Sequence, residues 1–184
     1  MRAAAIQSCA GPPATPAIIQ TTVSKWFCSY GFAPVGDELL IGAYPLDAED
    51  VEMLAFNGVR RVLNLVEDRE YRRGERDAVQ RALAANQIEE TRLRLIDYGG
   101  LDTDAIERAV AEVNRWLDEG ERTYLHCRAG WQRSAAIAAG VVALREGIEI
   151  DEALVRVQSR KPSADPLPHQ REDLRRWWSE RTAT

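Results

Sequence analysis

Short apolar runs alternate with longer segments of helical period along most of this chain. Residues 39–41 read as a strand ending at Gly42, and residues 59–66, rich in branched side chains, as a second. Residues 91–96, where Leu93 and Leu95 alternate with arginines, and residues 123–126 complete the set. Helices are expected over Ala48–Phe56, behind an Asp47 cap and before Asn57-Gly58, and over residues 77–86. Residues 105–117 carry the clearest period, with Ile106, Ala109, Val110, Val113, Trp116 and Leu117 on one stripe. Arg133–Glu146 reads as a mostly apolar helix stopped by Gly147. Residues 151–159 follow, capped by Asp151 with Ile150 as a hydrophobic staple. A turn through Pro162, Pro166 and Pro168 then leads to a helix near 170–178. Strands separated by helices pair in parallel and need cover on both faces. The expected fold is therefore α/β and three-layered, with a mostly parallel central sheet of about 4–5 strands flanked by helices.

A chain of 184 residues suits one domain. Residues 1–20 hold Pro12, Pro13 and Pro16 and no continuous apolar stretch, so they read as a disordered tail before a single domain over 21–184. Three cysteines (Cys9, Cys28 and Cys127) without a CxxC pair, beside only two histidines, argue against a disulfide framework and a zinc site. No metal or cofactor is expected. That cysteine usage suits a reducing, cytoplasmic compartment, with an organelle as the alternative. The net charge of −5 offers nucleic acid no bulk attraction. No run approaches the roughly 18–20 apolar residues of an integral membrane segment. Any phosphate binding must come from a local site.

Such a site is legible at His126-Cys127-Arg128-Ala129-Gly130-Trp131-Gln132-Arg133-Ser134. A cysteine ends a strand, a short loop follows, and an arginine opens a helix. Backbone N–H groups of Arg128, Ala129, Gly130, Trp131 and Gln132 can all turn inward there, and the helix N-terminus adds partial positive charge. Gly130 permits a tight loop conformation, and Arg133 can grip two oxygens of a tetrahedral anion. A thiol in such a field is expected to ionise readily. Its thiolate would attack phosphorus in line and form a phosphocysteine that water hydrolyses. Ser134 is placed to donate to the sulfur, His126 to brace the loop, and Trp131 to line the mouth. A phosphate-binding module without turnover, or another thiolate enzyme such as a sulfurtransferase or arsenate reductase, would use some of the same parts.

The stretch matches the Cys-x5-Arg-Ser/Thr signature of the protein tyrosine phosphatase superfamily and resembles its dual-specificity branch. The likeness spans residues 35–178 and includes Leu40-Ile41-Gly42-Ala43-Tyr44-Pro45 and Val62-Leu63-Asn64-Leu65. It implies a phosphatase acting on phosphorylated protein or on a phospholipid headgroup, working as a monomer, with Cys127 as nucleophile and Arg133 as clamp. It also implies an aspartic acid that protonates the leaving group. Asp97, opening the turn Asp97-Tyr98-Gly99-Gly100, is so placed; Asp102 and Asp104 are rivals, although helix capping explains them better. Glu67-Asp68-Arg69-Glu70-Tyr71 resembles the acidic loop of mitochondrial phosphatidylglycerophosphate phosphatases, with Arg72-Arg73 near a charged substrate. On composition alone that loop reads as solvated. Asn64 either ties the loop after Cys127 to the sheet or simply ends a strand. Gln170 stands either near the water path of related enzymes or on a helix surface. Cys28, beside Trp26, Phe27 and Tyr30, is expected to be buried, with a role as redox partner of Cys127 as the alternative. Of Trp177 and Trp178, one ring is expected to dock on the core.

Overall fold

The computed structural model describes residues 23–183. The tail at 1–20 and Cys9 lie outside the described residues. Among these described residues five strands form one sheet: β1 (Phe32–Pro34), β2 (Leu39–Ala43), β3 (Arg61–Asn64), β4 (Glu89–Arg92) and β5 (Thr123–Cys127). Their order is β1-β2-β5-β3-β4, antiparallel only at the β1 edge. Among the described residues seven α-helices flank the sheet: α1 (Lys25–Tyr30), α2 (Ala48–Phe56), α3 (Glu75–Ala85), α4 (Thr103–Asp118), α5 (Arg133–Glu146), α6 (Ile150–Arg160) and α7 (Pro168–Thr182). The mostly parallel three-layer arrangement agrees with the alternation in the sequence.

Strand alternation sorts the apolar residues into two cores. Leu39, Ile41, Leu63, Leu125 and Cys127 face α4, α5, α6 and α7, where Trp116 and Trp177 are buried. Leu40, Val62 and Tyr124 face the other way, toward Phe27, Val51, Leu54, Val79 and Leu83. Helix α5 is apolar nearly all round because it lies inside the larger core. Gly140 lets it pack closely: a Cβ there would meet Val110 at 2.9 Å and Trp177 at 3.2 Å.

Several local expectations need correction. Gly42 does not end β2, which runs through it to Ala43. A side chain at Gly42 would collide with Tyr124 and Phe32, so glycine is what lets the strand pass. The strand expected over 91–96 is displaced: β4 starts at Glu89 and its ladder proper ends at Arg92. Beyond it, Leu93 N–H still donates to Asn64 O at 3.0 Å, and Leu95 N–H to Leu65 O at 3.1 Å. Helix α6 starts one residue earlier than read, and Glu149, not Asp151, occupies its N-cap without a side-chain bond. Helix α7 starts at Pro168 and buries Gln170, so that residue is not on a helix surface. Trp177 docks on the core as expected. Helix α1 and strand β1 carry no period long enough to be read and were not anticipated. Cys28 is exposed on α1 rather than buried, and Cys127 carries a free thiol.

Candidate active site

Strand β5 delivers Cys127 at the C-terminal edge of the sheet, and α5 leaves that edge at Arg133. Residues 128–132 loop between them. Gly130 has φ +75°, and a Cβ would run into the backbone of Gly42, so loop and strand meet backbone to backbone. Three bonds fix the loop from outside: Tyr44 N–H to Arg128 O at 3.0 Å, Asp165 N–H to Trp131 O at 2.7 Å and Ala136 N–H to Gln132 O at 2.9 Å. Gln132 caps α5 without a side-chain bond, so the first N–H groups of the helix face the loop. Cys127 is buried, with Sγ 3.3 Å from Ser134 Oγ.

Arg133 is buried inside a cage of acceptors. Its Nη1 donates to Glu70 Oε1 at 2.7 Å and to Leu95 O at 2.9 Å, while Nη2 donates to Glu70 Oε2 and Asp97 Oδ1, each at 2.8 Å. Burial opposes its charge, but the Glu70 hydrogen bond and the negative charges of Cys127, Glu70 and Asp97 win and hold its pKa above the usual arginine range. Its Nε is buried and makes no protein hydrogen bond. Glu70 is the residue that sequence reasoning missed. The segment read as solvated contains a 3-10 turn, Asp68–Glu70, that turns this carboxylate inward. Arg72 and Arg73 of the same segment are exposed.

Asp97 follows from the extension of β4. The ladder bonds at Leu93 and Leu95 carry the chain to the sheet edge, where a turn closes with Gly99 N–H on Ile96 O at 3.0 Å. The structure thus brings Cys127, Arg133, Ser134 and Asp97 together. Asp102 is committed elsewhere, accepting from Ala105 N–H at the start of α4, and Asp104 lies in that helix's first turn. Asn64 ends β3, and its side chain accepts from Val66 N–H and donates to the Tyr71 hydroxyl and Glu90, so it ties the segment after β3, not residues 128–132, to the sheet.

His126 is buried and stacks on Tyr124. Its main chain accepts from Leu65 N–H at 2.9 Å, which braces β5 against the segment after β3. Burial drives its pKa down to about 3, helped by Arg76, Arg133 and Arg92, against the pull of the Cys127 carbonyl. The imidazole is therefore neutral at ordinary pH.

The rim is aromatic. Trp131 and Tyr30 have centroids 5.2 Å apart, Tyr30 and Trp26 4.1 Å, Trp26 and Tyr44 5.4 Å, and Tyr44 and Tyr71 5.5 Å. Arg128 lies over Trp26 at 5.5 Å. Lys161, buried behind this rim, donates to Tyr30 O and Ser163 Oγ, each at 3.0 Å. Burial lowers its pKa and the charge of Cys127 opposes that shift. Among the described residues no group of His, Cys, Asp and Glu has the arrangement of a metal site.

Residues 42–147 match the model of the polymorphic toxin system DSP-PTPase phosphatase family. The chain belongs to that family. This DSP-PTPase chain is accordingly a phosphatase of the protein tyrosine phosphatase type. It is 27% identical over 146 residues to the mouse phosphatidylglycerophosphatase and protein-tyrosine phosphatase 1, covering 79% of this chain and 75% of that one. Its fold is similar to that of PTPMT1 in complex with PI(5)P, with TM-score 0.71, 23% identity, and coverage of 83% of this chain and 97% of that one. It is similar also to Tk-PTP in the active form, with TM-score 0.69, 19% identity, and coverage of 80% and 96%.

Proposed function

We propose that this DSP-PTPase domain, taken over residues 21–184 as one monomeric catalytic unit, hydrolyses phosphomonoesters of phosphotyrosine, phosphoserine and phosphothreonine through a phosphocysteine intermediate. Cys127 attacks phosphorus, and the ester oxygen leaves with a proton from Asp97. The loop N–H groups of Arg128, Ala129, Gly130, Trp131 and Gln132, with the Arg133 guanidinium, take the charge on the phosphoryl oxygens as it builds. Ser134 donates to the sulfur when water releases phosphate, and His126 supports the loop as a neutral residue. The observation that carries the reading is the meeting of Cys127, Ser134, Arg133 and Asp97 at one sheet edge, with Asp97 Oδ1 2.8 Å from the clamp. The aromatic rim at Trp26, Tyr30 and Trp131 supports an aryl ester among the substrates.

The mouse relative, named for activity on phosphatidylglycerophosphate as well as phosphotyrosine, supports a second reading, a phospholipid headgroup phosphate. No described helix is long and apolar enough to cross a membrane. A reducing cytoplasmic setting is part of the proposal, because it keeps the thiol of Cys127 active.

The test is a panel of p-nitrophenyl phosphate, phosphotyrosine and phosphothreonine peptides, phosphoinositides and phosphatidylglycerophosphate, run with reductant on wild type and Cys127→Ser. We expect turnover by wild type only, with vanadate still bound by the variant. Appreciable turnover by Cys127→Ser would remove the nucleophile from that position. The ranking of peptides against lipids decides between the two substrate readings.

A further inference from the structure

The turn that carries Asp97 has little to hold it by itself. Tyr98 adopts φ +57°, a region seldom used by residues with a Cβ. The side chains of Ile96 and Tyr98 point outward, 59% and 69% exposed. What fixes the turn is its backbone, gripped from two sides. On the near side Glu67 accepts from Asp97 N–H at 3.1 Å, and Arg133 holds Leu95 O. On the far side the grip comes from α7. Gly99 O accepts from Gln170 Nε2 at 2.9 Å and lies 3.1 Å from His169 Nε2. Two residues on, Leu101 N–H donates to Asp173 Oδ2 at 2.8 Å.

Gln170 is 0% exposed, and a buried amide is costly unless both ends find partners. One end is spent on its own helix, since Oε1 accepts from Leu167 N–H at 3.2 Å. The other crosses to the turn. We infer that Gln170, with Asp173 beside it, is a positioning residue that latches the Asp97 turn to α7 and so sets where the Asp97 carboxyl stands. The inference rests on the reading of Asp97 as the acid. The latch touches neither the loop at 128–132 nor Arg133. Loosening it acts on protonation of the leaving group and leaves oxyanion binding in place.

Gln170→Glu isolates the latch. A glutamate at the third helical position still accepts from Leu167 N–H, so the cap survives. Toward Gly99 O it presents an oxygen where the amide presented N–H. The readout is the ratio of kcat/KM for phenyl phosphate to that for p-nitrophenyl phosphate, because only the poorer leaving group needs the proton. Asp97→Ala sets the scale, with an expected fall in that ratio of about 10²-fold or more. Gln170→Glu is expected to lower it by about tenfold or more, the effect of a carboxyl displaced by a fraction of an ångström to an ångström. Vanadate affinity should stay within about twofold of wild type, since Glu70 still holds the Arg133 guanidinium when its bond to Asp97 loosens. Lowering the pH should restore part of the ratio, because the protonated carboxyl can donate to Gly99 O again. Asp173→Ala, which releases the Leu101 N–H, should move the ratio the same way and stands in if Gln170→Glu does not fold.

If Asp97→Ala shifts the ratio and neither α7 variant does, the latch is wrong while the acid stands. Equal losses on both esters, with vanadate affinity falling too, would make Gln170 a support of the fold only and overturn the inference. A flat ratio in Asp97→Ala overturns the acid assignment itself, and the latch falls with it.

Discussion

Arg133 shows what one side chain needs in order to live at a sheet edge without water. A buried guanidinium is costly unless its charge is matched, and here both of its terminal nitrogens donate to Glu70 in the parallel fork that matches carboxylate geometry, while Nε is left without a protein acceptor. Removing one member of a buried pair costs about 3–5 kcal/mol, because the partner is left charged and unmatched. Glu70→Ala is therefore expected to lower unfolding free energy by about 3 kcal/mol, with Asp97 offsetting part of the loss. Urea melts of the two proteins measure this, and a change below about 1 kcal/mol would show that Glu70 does not carry the cage. Cys127, Arg133 and Ser134 were legible because their chemistry is local: strand, loop and helix start follow one another in the chain. Asp97 was singled out because the family resemblance calls for an acid before the cysteine, and it opens a Gly-rich turn at a strand end. Glu70 was not, because a dense run of charges looks the same whether solvated or folded inward, and its partner lies 63 residues away.

At the scale of elements, helix α1 supplies Trp26 and Tyr30 to the rim, yet it has six residues and no stable life of its own. It is held by Asp50 on α2. That buried carboxylate accepts from Ser24 N–H at 2.8 Å and Ser24 Oγ at 2.7 Å, and from Leu46 N–H at 2.9 Å. Burial raises its pKa and those three bonds oppose the rise. Asp50→Ala would strand three donors, at a cost of about 1–3 kcal/mol for each one left buried. We expect amide exchange at Phe27, Cys28 and Gly31 to accelerate and Trp26 fluorescence to change, with β5 unaffected. Unchanged exchange across α1 would mean that packing alone holds it. The sequence revealed α2 and α5 to the residue, because a cap, a period or an unbroken apolar run marks both ends. It concealed α1 and β1, which are too short to show a period and owe their form to what they pack against.

For the molecule as a whole, the sheet between two cores places His126 where water does not reach. Its folded pKa, about 3, lies below the usual value near 6.5. Between those two pH values the unfolded chain binds a proton that the native one refuses. The stabilisation is complete above about pH 6.5 and is lost as pH falls toward 3, at up to about 1.4 kcal/mol per pH unit from this group. Urea unfolding of wild type and His126→Gln at pH 7, 5 and 4 should show the shallower acid dependence in the variant; parallel curves would assign the acid loss to other groups. The α/β class was legible from alternation alone. Strand order was not, since nothing in a strand's composition names its neighbour. The ties that close the site also run far along the chain: Lys161 to Tyr30 spans 131 residues and Gln170 to Gly99 spans 71. Synthesis proceeds from the N-terminus, so the cysteine and arginine leave the ribosome well before the helix that steadies the turn opposite them. In the proposed mechanism a nascent chain thus carries its nucleophile and clamp first, and its acid gains its footing only when α7 follows.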